Sequence, residues 1–307
     1  MRAIRAVVGL ALSMGLVAGV TGCGQDNKAA SGQQHGTRSV VASTNVWGSV
    51  ASAVAGDHTP VKSVISNPAD DPHSFEASPA DAAAITDASL VVYNGGGYDH
   101  WVDDVLASHH DVPVVNAYAL LPSPVPQPAN EHVFYDLETV KAVANQIAEK
   151  LSQSDASHAS DYKANAAKFS DAAETIATAE RAIGASHPGA SVVATEPVAH
   201  YLLANSGIVD KTPEGFSKAI EQDTDPSPAD LAALLDLIKS RQVSALVYNS
   251  QTQTDVTKQI QDAAEGASVP IISVTETLPA GIDYLTWQRQ TVDQLANQLN
   301  KTPQTNR

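Results

Sequence analysis

Two stretches of the chain repeat one pattern of apolar runs. The first opens with the β-branched run 39–44 and continues through 61–65. An Ala-rich helical segment follows over 79–88, then the run 90–93 leading into Gly95-Gly96-Gly97, and the run 112–115 closes the set. The second stretch opens with 191–194. A helix begun by Pro228 carries Leu231, Leu234, Leu235 and Ile238 on one face, 245–248 leads into Asn249 and Ser250, and 269–274 comes last. Continuous apolar runs alternating with helical patterns predict parallel strands covered on both faces. The endings Leu90-Val91-Val92-Tyr93-Asn94 and Leu246-Val247-Tyr248-Asn249 are alike. The fold class predicted is therefore α/β, with two similar lobes, each a mostly parallel sheet flanked by helices.

Between the lobes, residues 137–183 contain no proline and are dominated by Ala, Glu, Lys and Gln, a strongly helical composition. The Ser- and Asp-rich stretch 152–160 is expected to break this region into two helices. The second, over about 160–185, would run roughly 35–40 Å at the usual rise per residue. One long rigid helix joining the lobes would limit how far they close.

The first 22 residues read as a processing signal. Arg2 and Arg5 precede an apolar run over 6–20, which ends in Val20-Thr21-Gly22-Cys23. The run is too short and too weakly flanked for a stable span. Cys23 is the one cysteine of the chain, so no internal disulfide or thiolate metal site can form. Its position after a small pair is similar to the lipobox of bacterial lipoproteins, where the thiol is lipidated. The alternative is an ordinary signal peptide with an incidental cysteine. Residues 24–37 are mostly Gly, Gln, Ser, Asn and Ala with almost nothing to bury, and read as a flexible tether. Two acyl chains on Cys23 would hold such a tether at a membrane surface outside the cytoplasm.

Roughly 270 residues remain, more than one typical domain. The expected division is a signal over 1–22, a tether over 23–37, an N-terminal lobe over 38–136, a helical linker over 137–186 and a C-terminal lobe over 187–307. The formal net charge is −16, which argues against nucleic acid and anionic headgroups as partners and is compatible with a cationic ligand.

Of ten histidines, two stand apart by context. His73 lies in a proline-punctuated loop over 67–79, after a strand and before a helix. His132 follows the Pro-rich crossing 122–128 and precedes a helix. Both fall where open α/β sheets place ligands, beyond the carboxyl ends of strands. In the second lobe, Glu196 follows the run 191–194, and Asp283 comes after the final strand. Singly, Glu196 reads as a carboxylate at a helix start and Asp283 as an N-cap. Together, two imidazoles from one lobe and two carboxylates from the other make a four-residue site for a divalent cation in the cleft.

The chain resembles the metal-binding lipoproteins of ABC importers for Mn²⁺ and Zn²⁺, the TroA-like solute-binding proteins, over essentially its whole mature length. Asp71-Pro72-His73-Ser74-Phe75-Glu76-Ala77-Ser78-Pro79 is similar to that family's first ligand loop, Asp-Pro-His-x-Phe-Glu-Pro-Ser-Pro. Glu131-His132-Val133-Phe134-Tyr135-Asp136 is similar to its Pro-His-x-Trp-x-Asp segment. Thr195-Glu196-Pro197 occupies the third ligand segment, and Gly281-Ile282-Asp283 falls where the family has its last Asp. Ala77 and Phe134 depart from the pattern at positions that supply no ligand. The resemblance implies a monomeric extracytoplasmic protein that captures Mn²⁺ or Zn²⁺ as cargo and passes it to an ABC permease. Glu196 in place of His, and the absence of a long His-rich loop, favour Mn²⁺ with Zn²⁺ second. Proton competition at His73 and His132 is expected to weaken binding below pH ~6.

Rival classes remain open at this point. A metal-dependent hydrolase would keep three protein ligands and an open position, yet the chain has no His-Glu-x-x-His, Gly-x-Ser-x-Gly or phosphate-loop signature. A siderophore or haem binder on the same scaffold would want an aromatic- or Arg-lined cleft, and aromatics make up 5% of the chain. An adhesin role would be a second activity.

Overall fold

Five consecutive buried residues form β1 (Val40–Thr44), a central strand of the first sheet. The computed structural model describes residues 39–122, 129–222 and 224–301. The signal, Cys23 and the tether lie outside them. After β1 come α1 (Asn45–Ala55), β2 (Val61–Ile65), α2 (Pro79–Thr86), β3 (Leu90–Tyr93), α3 (His100–Leu106) and β4 (Val114–Asn116). Two long helices follow, α4 (Leu137–Ser154) and α5 (Ala159–Ser186). The second half holds β5 (Ser191–Ala194), α6 (His200–Asn205), β6 (Val209–Asp210), α7 (Glu214–Glu221), α8 (Pro228–Lys239), β7 (Ala245–Asn249), α9 (Asp255–Ala267), β8 (Ile271–Val274) and α10 (Tyr284–Lys301).

Both sheets are four-stranded, and every strand pairing in them is parallel. Their orders are β2-β1-β3-β4 and β6-β5-β7-β8, one topology used twice. The two lobes are thus built alike. The expected strands 112–115 and 269–274 start two residues later than their apolar runs. Pro113 and Pro270 lack the N–H a ladder needs and sit just before each strand, where their carbonyls accept from Val91 and Leu246. Strand β6 has two exposed residues and no apolar run to announce it.

The helical region breaks where expected, at 155–158. Helix α5 has 28 residues, about 42 Å at 1.5 Å per residue. It packs against α4, α1 and α10. The inner faces of both sheets share one continuous apolar core with these helices, from Val40 and Trp47 through Val143 and Phe169 to Val192 and Leu295. The outer face of each sheet has its own core. Hydrogen bonds reinforce the seam: Tyr284 Oη and Gln288 Nε2 donate to the Phe134 carbonyl at 2.7 and 3.2 Å. Asn45 exchanges two bonds with the Leu278 backbone. A seam this apolar and buried resists large lobe rotation, because close-packed interiors do not deform continuously.

Gly184 of α5 lets the chain pass the end of α6. A Cβ there would stand 2.5 Å from the Ser206 carbonyl oxygen, a backbone atom that cannot swing away. Gly184→Ala is expected to destabilise by roughly 1–3 kcal/mol. A thermal melt of the variant checks this, and an unchanged midpoint would contradict the close approach.

Candidate metal centre

His73 sits in the loop between β2 and α2, and the local sequence holds that loop. The Asp71 carboxylate accepts from His73 N and Ser74 Oγ at 2.9 and 3.0 Å. Phe75 packs on Trp101 with ring centroids 5.0 Å apart. Ser78, Pro79 and Asp81 start α2 with a reciprocal capping box. His132 is buried at 3% exposure, followed by a 3-10 turn whose residues Val133, Phe134 and Tyr135 are all buried. Its backbone N–H and its Nδ1 both meet Asn130 Oδ1, at 2.9 and 3.1 Å, while Asn130 Nδ2 donates to the Pro197 carbonyl. With the amide so oriented, His132 Nδ1 carries the proton and donates, leaving the Nε2 lone pair for the centre.

The second lobe answers with Glu276, which follows β8. Its Oε2 lies 3.1 Å from His73 Nε2 and 3.7 Å from His132 Nε2, and the residue is 3% exposed. Glu196, after β5, is drawn in through Asn249 at the end of β7. Asn249 Nδ2 donates to Glu196 Oε2 at 2.7 Å and to Glu276 Oε1 at 2.9 Å. In the first lobe Asn94, just past β3, has the matching place: its Nδ2 donates to the Glu131 carbonyl at 2.8 Å. The repeated Tyr-Asn strand ending therefore holds a loop of this cleft in each lobe. The Glu131 carboxylate itself reaches to 3.6 Å from His73 Nδ1.

The structure thus brings together His73, His132 and Glu196, and places Glu276 rather than Asp283 beside the imidazoles. Asp283 is exposed and occupied at the start of α10, where its carboxylate accepts from Thr286 N and Oγ1 at 2.9 and 2.8 Å. It is the N-cap that its isolated context suggested. The carboxylate from this stretch that meets the imidazoles is Glu276. A signal for it exists in the sequence: Thr195-Glu196 and Thr275-Glu276 each place a glutamate two residues beyond a strand end. Sequence reasoning also missed Glu131, Asn94 and Asn249 as parts of the centre.

The electrostatics follow from burial and pairing. Desolvation alone would depress the His73 imidazole, but the hydrogen bond to Glu276 and the charges of Glu276, Glu131 and Asp71 push it up to about 9. Burial takes His132 down to about 4. Burial also raises Glu196 to about 7, partly offset by the Asn249 hydrogen bond, and raises Glu131, against the charge of His73. For Glu276, burial would raise the carboxyl; the His73 hydrogen bond and both imidazoles outweigh it and hold it below its ordinary value. His73 and Glu276 form an ion pair beside a neutral His132. Two imidazoles and several carboxylates around one point are a nitrogen/oxygen donor set suited to a divalent transition metal.

A family model described as zinc-uptake complex component A, periplasmic, matches residues 40–298. The chain belongs to that family. The manganese-binding lipoprotein MntA of Bacillus subtilis (strain 168) is 26% identical over 257 residues, covering 81% of each chain. The laminin-binding protein Lmb of Streptococcus agalactiae, described as bifunctional with adhesin and metal-transporting activity, superposes with a TM-score of 0.73 at 25% identity, covering 85% of this chain and 99% of that one. The periplasmic zinc-binding protein TroA from Treponema pallidum shares the fold, with a TM-score of 0.73 at 18% identity over 86% and 99% of the two chains. The two-lobed α/β architecture is therefore that of the family.

Proposed function

We propose that this protein captures one divalent transition metal ion as cargo between its lobes and delivers it to an ABC permease, with Mn²⁺ preferred over Zn²⁺. The observation that carries the reading is the meeting of His73 and His132 from one lobe with Glu276 from the other, at 3.1 and 3.7 Å. Glu196 joins through the shared Asn249 amide. A cation entering between them replaces the His73 proton as partner of Glu276, so the lobes stay bridged whether or not cargo is bound. Family membership, and the metals named for MntA and TroA, support a binding role rather than turnover. The carboxylates favour Mn²⁺ and the imidazoles suit Zn²⁺.

Anchoring through a lipidated Cys23, outside the cytoplasm and as a monomer, completes the reading. Among the described residues no helix is long and apolar enough to cross a membrane. Protein purified without chelator is expected to carry one Mn²⁺ or Zn²⁺ per chain by elemental analysis. Chelated protein should gain thermal stability when either ion is restored, as any ligand selective for the native state provides. Absence of both bound metal and a thermal shift would overturn the proposal.

A further inference from the structure

Resting on the metal-capture reading, we propose that Glu131 is a further oxygen ligand of the captured cation and the residue that tilts the centre towards Mn²⁺. The ligand atoms of His73, Glu131 and His132 all lie within 4.8 Å of one another. Glu131 Oε1 approaches His73 from Nδ1 while Glu276 takes Nε2, so a single ion with bonds of about 2.0–2.2 Å touches all three once the His73 ring turns. Nothing in the pattern Pro-His-x-Trp-x-Asp assigns a role here, because Glu131 stands opposite its proline.

The position is built. The Glu131 carbonyl accepts from Asn94 Nδ2 at 2.8 Å and from Val133 N at 2.7 Å, so the backbone is fixed from two sides. Gly97 lies beside the carboxylate: a Cβ there would make ordinary contact, 3.7 Å from Glu131 Oε2. The Glu131 side chain is 25% exposed, against 4% for His132 and Glu276. It therefore stands on the solvent side of the centre, over the two deep groups. With Glu196 and Glu276 it makes three carboxylates around two imidazoles. Mn²⁺ accepts oxygen-rich, six-coordinate surroundings, whereas protein-bound Zn²⁺ settles at about four ligands. A fifth protein ligand of oxygen type thus adds more to Mn²⁺ binding than to Zn²⁺ binding.

The test uses the full chain and its Glu131→Gln and Glu131→Ala variants, titrated with Mn²⁺ and with Zn²⁺ against a competing chelator at fixed pH. Mn²⁺ affinity is expected to fall at least about tenfold in both variants and Zn²⁺ affinity by less than about threefold, a reduction of the size that changes beside a metal commonly produce. Melts of the metal-free variants that match the parent would show the loss is not misfolding. Unchanged Mn²⁺ affinity overturns the inference. Equal losses for both ions overturn it too, since that is what a carboxylate merely backing His73 would give. If the parent chain binds neither ion, the capture reading itself fails, which is a distinct outcome.

Discussion

Replacing Glu276 with alanine is expected to lower the affinity for Mn²⁺ and Zn²⁺ by more than about 100-fold, while Asp283→Ala leaves it within about twofold. Loss of groups that only support a metal ligand commonly costs 10–100-fold, so loss of a ligand should exceed that range. Glu276 has the larger claim because one oxygen faces both imidazoles and the other is fixed by Asn249. Its removal leaves Glu196 alone among these second-lobe carboxylates at the centre. Asp283 caps α10 through Thr286 instead. Its loss should show as about 1 kcal/mol of stability, the usual value of an N-cap. Chelator competition on the two variants separates these effects. Wild-type affinity in Glu276→Ala would remove the second lobe's main contribution from the account.

Metal affinity is also expected to fall steeply with pH, and from a higher pH than free histidine would suggest. In the metal-free chain His73 holds its proton up to about pH 9 and Glu196 up to about pH 7. Metal binding must expel both, and each proton expelled weakens affinity tenfold per unit of pH below its pKa. Between pH 9 and 7 the loss should therefore be about tenfold per unit, from His73. Below pH 7 Glu196 joins, and the loss steepens towards about 100-fold per unit. His132, pushed down to about 4, is already neutral across this range and adds nothing. The expectation from unperturbed imidazoles, weakening only near and below pH ~6, is thus shifted upwards for His73 and downwards for His132. Titrations at pH 6, 7 and 8, with proton release measured in buffers of different ionisation enthalpy, check the sign and the count. Affinity constant from pH 6 to 8 would contradict the His73–Glu276 pairing.

Much of this architecture was legible in the chain because parallel strands buried on both faces leave uninterrupted apolar runs. The matched endings at Tyr93-Asn94 and Tyr248-Asn249 already announced two like lobes. What they could not announce is that the two asparagines turn towards one cleft, because that depends on how α4, α5 and α10 pack the inner sheet faces together. His73 and His132 were legible because prolines and helix caps isolate them in loops at strand ends. Glu276 was not, since a single acidic residue after β8 looks like any loop carboxylate, and Asp283 sat at a more conspicuous helix start. Only the Thr-Glu spacing shared with Glu196 distinguishes it. Glu131 was hidden for another reason: it is adjacent to His132, and neighbours in sequence usually point apart. The backbone at His132, with φ −78° and ψ 51°, turns into the 3-10 segment and lets both side chains face the centre.

The central claim is that one cation is shared by side chains of both lobes. Anomalous diffraction at the manganese edge, from crystals of the Mn²⁺-loaded protein, addresses it directly. The account predicts one strong peak per chain, within bonding distance of His73, His132, Glu196 and Glu276. A peak ligated from one lobe alone, or centred on Asp283, would contradict it.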